Sequence, residues 1–227
     1  MPGRSATVRE GMLLVCTNVD PAHEDEFNRW YDREHVNERV AIPGFVSGAR
    51  YRTVRGSRRY LGLYRTTSLA VFGTAAYQEA LQRPTAWSVT NLARMQNPMR
   101  RVGSIEMETG AGTGAWLALL TLAASATSTD VTGMAQLGSE LLTLDGVVVA
   151  RLLVPDAALS TPLPAEDPRE RRLDPLLLIE AAAEAAVANA GRHAARHVGA
   201  ASDDLSVFQL MWQLRLTDLS RETIGGP

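Results

Sequence analysis

The feature that most constrains the fold is an order of elements that occurs twice in 227 residues. In the first pass, Met12–Asn18 is rich in strand formers and leads into Asp20-Pro21, a helix cap followed by proline at the first helical position. Glu24, Asp25 and Glu26 follow where the helix dipole favours negative charge. The helix is expected to reach about Glu38, with Ile42-Pro43-Gly44 as its stop. Phe45–Val54 and Tyr60–Tyr64, joined through Gly56-Ser57, predict a hairpin. Helical stretches over Ser68–Leu81 and Ala86–Arg94 and a strand over Met99–Glu108 complete β-α-β-β-α-β.

Beyond the glycine-rich residues 110–114 the order returns with weaker signals. Trp116–Ala124 predicts a strand, and Thr127, Ser128 and Thr129 offer capping hydroxyls. Met134, Leu137, Leu141 and Leu142 lie at helical spacing within Asp130–Leu144. Val147–Val154, Leu176–Ile179, the alanine-rich Glu180–Arg196 and Ser206–Leu216 supply two strands, a helix and a closing strand. A polar stretch with four prolines, Pro155–Leu173, stands where the first half has its tight turn, and is expected to be a mobile loop. These patterns predict an α+β chain of tandem ferredoxin-like βαββαβ repeats that pack sheet to sheet: a site-bearing half over 1–109, a linker over 110–114 and a degenerate half over 115–227. A ligand cavity is expected between the sheets. The pattern leaves open whether the sheets of one chain face each other or each pairs with another subunit in a homodimer.

Composition narrows the function classes. A net charge of −2 and only short basic runs, Arg55–Arg59 and Arg169–Arg172, argue against nucleic-acid binding. No apolar stretch approaches the roughly 18 residues of a membrane span, and the N-terminal residues lack the apolar core of an export signal, so a cytoplasmic protein is expected. The single cysteine, Cys16, lies mid-strand and reads as a small buried hydrophobe. His193 and His197 have metal-ligand spacing without a carboxylate motif, and no metal site is predicted.

Chemistry concentrates in Glu26–His35. At helical pitch, Phe27, Trp30, Tyr31, Glu34 and His35 fall within an arc of about 140°, so an apolar stripe carries a carboxylate and an imidazole. His35 is the candidate general acid or base, with Glu34, Tyr31 and Arg50 to orient it or hold an anionic oxygen. Phe27, Trp30, Tyr64 and Trp87 are candidate walls for a substrate. A histidine near a helix C-terminus also has a bland reading, as a favourable partner of the dipole.

The string from Glu26 to His35, with Ile42-Pro-Gly-Phe45, Ala49-Arg-Tyr51, Ala76-Tyr77 and Pro84-Thr-Ala-Trp87, resembles the EthD-like branch of the dimeric α/β-barrel superfamily, most strongly over residues 11–108. The resemblance implies paired ferredoxin-like sheets and acid–base work at His35. It also implies a set of chemistries that spans lactone isomerases, polyketide cyclases, cofactor-free monooxygenases and haem enzymes. The reading that follows is a bacterial-type small-molecule isomerase, lyase or cyclase without an organic cofactor, acting on an oxygenated aromatic, lactone or polyketide-like substrate. The alternatives are a haem-dependent oxidoreductase and a non-catalytic ligand-binding protein. The second half has no counterpart of the histidine-bearing helix and is expected to be scaffold.

Overall fold

A computed structural model describes residues 9–123, 130–169 and 171–222. Eight strands form one closed antiparallel barrel: β1 (Gly11–Val19), β2 (Phe45–Arg55), β3 (Tyr60–Thr66), β4 (Met95–Gly110), β5 (Trp116–Thr121), β6 (Val147–Pro155), β7 (Leu176–Ala181) and β8 (Leu205–Arg215). Around the barrel they run β4-β1-β3-β2 and then β8-β5-β7-β6, so both halves use the same strand order. The β2–β8 and β4–β6 ladders join the halves. Closure within a single chain occupies the edges of both sheets, which answers the question the sequence left open.

Strand alternation separates two layers. Met12, Leu14 and Cys16 point into the barrel, whereas Leu13 and Val15 point out beneath the helices. The inward positions carry large groups, among them Tyr51, Leu61, Leu117, Leu153, Leu178 and Phe208, all nearly inaccessible to solvent. Eight strands leave room for little more than their own side chains. The cavity expected between the sheets is therefore filled, and open space lies outside the barrel instead. At one end the barrel closes with charge: Arg151 pairs with Glu108 and, at 2.5 Å, with Glu180. Gly114 N–H donates to Glu180 at 2.8 Å and the Gly112 carbonyl accepts from Arg151 at 3.1 Å, so the glycine-rich segment caps this end as well as connecting the halves. Glu180, expected to open a helix, lies in β7.

The first half is covered by α1 (Glu24–Trp30), α2 (Val36–Val40), α3 (Ala75–Gln82) and α4 (Ala86–Ala93). Asp20 caps a short 3-10 turn ahead of α1 by accepting from Ala22 N–H at 2.8 Å. The second half is covered by α5 (Val131–Leu141) and α6 (Glu184–Val198), and α7 (Leu216–Glu222) follows β8. The expected capping residues 127–129 lie outside the described residues; Asp130 caps α5 through Thr132 N–H. Gly199, in the left-handed conformation at φ 67°, ends α6.

The described residues of Pro155–Leu173 do not form a free loop. Strand β6 stops pairing at Gly103 of β4, which leaves the preceding edge of β4 exposed, and the proline-rich segment satisfies it. Asp156 N–H reaches the Val102 carbonyl at 2.8 Å, while Ser160 Oγ donates to that carbonyl at 2.7 Å and accepts from Val102 N–H at 2.9 Å. Ser160 is fully buried, and the buried Glu166 pairs with Arg101 and, at 3.3 Å, with Arg171. The segment is a strap from the second half laid across the first.

Candidate functional site

Between α1 and α2 the helix widens. Residues Tyr31–His35 form a π turn, in which Val36 N–H bonds the Tyr31 carbonyl five residues back. The wider turn lets His35 and Val36 both face the sheet, and both are buried. Such turns recur at functional sites. His35 is 7% exposed, with Trp30 4.3 Å and Tyr31 5.0 Å away between ring centroids. Its Nδ1 is buried without a hydrogen-bond partner.

His35 lines a cleft between the helix layer and the outer face of the first-half sheet. The cleft is narrow, with a free volume of about 60 Å³, and its wall combines Leu13, Val15, Leu92 and Met95 with Tyr31, His35, Arg39, Tyr77 and Arg100. Leu163 of the strap completes the wall. Burial, reinforced by the positive charges of Arg39 and Arg50, holds the His35 pKa well below 6.5, so the imidazole is neutral at physiological pH. Burial likewise raises Tyr31, and holds Tyr64 well above the ordinary phenol range. The Tyr64 hydroxyl makes no hydrogen bond of ordinary length, although the Tyr31 phenol is near enough to influence its ionisation.

The other expected site residues divide. Tyr31 joins His35 in the cleft wall. Glu34 turns to α4: it accepts from Thr85 Oγ1 at 2.6 Å and Ser88 Oγ at 3.2 Å, at a helix N-terminus whose dipole favours a carboxylate. Arg50 is fully buried away from the cleft, bonded to Asp32 at 2.5 Å and Asn28 Oδ1 at 2.9 Å, with its guanidinium 4.4 Å from the Tyr31 ring centroid. Its reach to the site is through Tyr31. Phe27, Trp30 and Tyr64 pack in the layer between helix and sheet, and Trp87 donates to Glu26 at 2.7 Å; these four support the cleft from behind. His193 and His197 lie half-exposed on α6, 3.8 and 3.9 Å from Glu140, and no metal-binding cluster is present among the described residues.

Three polar wall residues escaped the sequence reading. Arg39 stands four positions after His35, a spacing that puts both on one helix face. Tyr77 falls within the resemblance but carried no assigned role. Arg100 is tied to Tyr77 at 2.9 Å and to the strap carbonyls of Leu159 and Thr161 at 2.8 and 3.0 Å. The contacts with the strap that make Arg100 and Leu163 part of the wall span more than fifty residues, and no local pattern announces them.

No family model matches this sequence, and no curated protein does. Solved structures share its fold. It is similar to an anthrone oxidase-like protein (TM-score 0.62, 10% identity, covering 92% of this chain and 93% of that one). It is also similar to a predicted monooxygenase from Fusobacterium nucleatum subsp. nucleatum (TM-score 0.59, 7% identity, 92% and 96% coverage). A mutant chlorite dismutase from Candidatus Nitrospira defluvii, in complex with cyanide, matches at TM-score 0.55 and 9% identity over 96% and 95% of the chains. The chain thus has the dimeric α/β-barrel fold. No helix among the described residues is long and apolar enough to cross a membrane.

Proposed function

We propose that this chain is a small-molecule enzyme working by acid–base chemistry at His35, with two ferredoxin-like halves over 1–109 and 115–227 descended from one duplicated unit of EthD-like type. The observation that carries the reading is a neutral, buried imidazole with an unpartnered nitrogen in the wall of an apolar cleft. A buried polar atom left without a partner costs about 1–3 kcal/mol, and such a cost is tolerated most readily where a ligand completes the bond. A neutral imidazole accepts a proton from an activated C–H or O–H next to a carbonyl, and the guanidiniums in the wall stabilise the enolate or phenolate left behind. That step is shared by isomerisation, elimination and cyclisation, and by oxygenation of the resulting carbanion. The isomerase, lyase or cyclase reading and the monooxygenase-like neighbours therefore meet in one proton transfer. Oxygenated aromatic, lactone or polyketide-like compounds carry such acidic protons.

Haem fits these residues poorly. The His35 ring packs against Trp30 and Tyr31 with the positive charges of Arg39 and Arg50 nearby, surroundings that disfavour holding a further cation such as iron. His23 is exposed, and His193 and His197 lie half-exposed over a helix–sheet layer filled with leucine and alanine.

The test is turnover of a panel of cyclic ketones, lactones and hydroxyaromatics. His35→Ala is expected to lower kcat/KM about 10²–10⁴-fold while circular dichroism stays native. Undiminished turnover in that variant would remove the assignment. A non-catalytic binding protein would instead hold such compounds unchanged in both forms.

A further inference from the structure

We infer that the His35 cleft takes an organic anion, an apolar body bearing one carboxylate, with Arg39 as the group that receives the charge; the inference rests on the acid–base reading above and deepens it. Arg39 is only 7% exposed, and its Nη1 is wholly enclosed with no hydrogen-bond partner among the described residues. Among the described residues it forms no ion pair; Glu38 on the same helix is near enough to feel its charge, yet does not bond it. A guanidinium cannot shed its proton to escape the cost of burial, so an unpaired one in an apolar wall is suited to receive an anion.

The rest of the wall has the same sign. Arg100 is 3% exposed, and its guanidinium is met by neutral acceptors alone: the Tyr77 hydroxyl, two strap carbonyls and the Thr161 hydroxyl. The nearby carboxylate of Glu166 is already shared between Arg101 and Arg171. Among the described residues, no carboxylate lines the cleft. Inorganic anions suit this wall badly, because Leu13, Val15, Leu92, Met95 and Leu163 supply most of the remaining surface and call for hydrocarbon. With a carboxylate on Arg39, the rest of the substrate lies along the same helix face, where His35 stands.

Binding of benzoate and 2-naphthoate, each set against its neutral amide, tests this by calorimetry on the intact chain. The expected result is a carboxylate preference of about tenfold or more, the size of one charge-assisted hydrogen bond. The preference disappears in Arg39→Met and persists in His35→Ala. A second measurement needs no variant: bound carboxylate offsets the Arg39 field, so the His35 imidazole, followed by NMR, titrates at higher pH with 2-naphthoate than with its amide. Equal binding of acid and amide, a preference that survives Arg39→Met, no measurable binding of either carboxylate, or an unmoved His35 titration would each overturn the inference. The two readings fail separately. A charge preference kept in a His35→Ala enzyme that still turns over leaves the anion site standing without the acid–base role, and the converse holds for Arg39→Met.

Discussion

The two halves place helices on the outer faces of sheets with the same strand order, yet the layers between helix and sheet differ in kind. In the second half, Leu120, Leu137, Leu141, Leu177, Ile179, Val187 and Ala190 pack together, and none of the described side chains of α5, α6 and the strands beneath them has a buried polar atom left unsatisfied. In the first half the equivalent layer holds His35, Arg39 and Tyr64, each with a buried polar atom unsatisfied. One copy is packed for stability and the other gives some up. Where the same architecture is built twice, the copy that breaks the rule of satisfied buried polar groups is the one in which to look for chemistry.

That contrast can be broken by experiment. Glu166→Ala, which strips a buried carboxylate from Arg101 and unlatches the strap, is expected to destabilise by about 3–5 kcal/mol in chemical denaturation. A change within about 0.5 kcal/mol would return the segment to the status of a surface loop. Leu137→Ala in the apolar layer is expected to lose about 2–5 kcal/mol, with no effect on ligand binding to the first half. Arg39→Met has the opposite sign: removing an unpaired buried charge is expected to raise stability by about 1–3 kcal/mol in the ligand-free protein. A lowered melting temperature would mean that Arg39 is held by packing and not reserved for a ligand.

The smallest effect is in pH. The folded-state pKa of His35 is depressed, so between the unfolded value near 6.5 and the lower folded value the unfolded chain binds the proton and the folded chain does not. The contribution is complete above about pH 6.5 and is lost as pH falls below it, at up to about 1.4 kcal/mol per pH unit. His35→Leu is expected to flatten this slope in denaturation followed as a function of pH.

Much of the fold is legible in the sequence because it is written locally. Asp20-Pro21, Ile42-Pro43-Gly44, Gly56-Ser57 and Asp145-Gly146 punctuate the chain with backbone requirements that hold in any context. His35 was legible for a related reason, since an imidazole in an apolar stripe conflicts with its surroundings. What stayed hidden depends on distant partners. Glu34 looked catalytic until the Thr85 and Ser88 hydroxyls at the start of α4 claimed its carboxylate, and Arg50 until Asp32 and Asn28 claimed its guanidinium. The strap read as mobile because prolines and polar residues give no hint that Ser160 completes a strand edge fifty-eight residues away. The filled barrel could not be foreseen from alternation, which says which residues point inward but not whether their volumes leave a gap.

The π turn carries a consequence for how related chains should be compared. It amounts to one residue more than an ordinary helix would use between Trp30 and Val36, and the surplus is what lets a histidine and a valine share the buried side. Losing that residue would close Glu24–Val40 into a continuous α-helix with Phe27 and Val40 still able to face the sheet, so the barrel would survive and the site would not. Among kindred sequences, a single-position gap in this helix is therefore the mark that separates chains keeping the chemistry from those keeping only the fold.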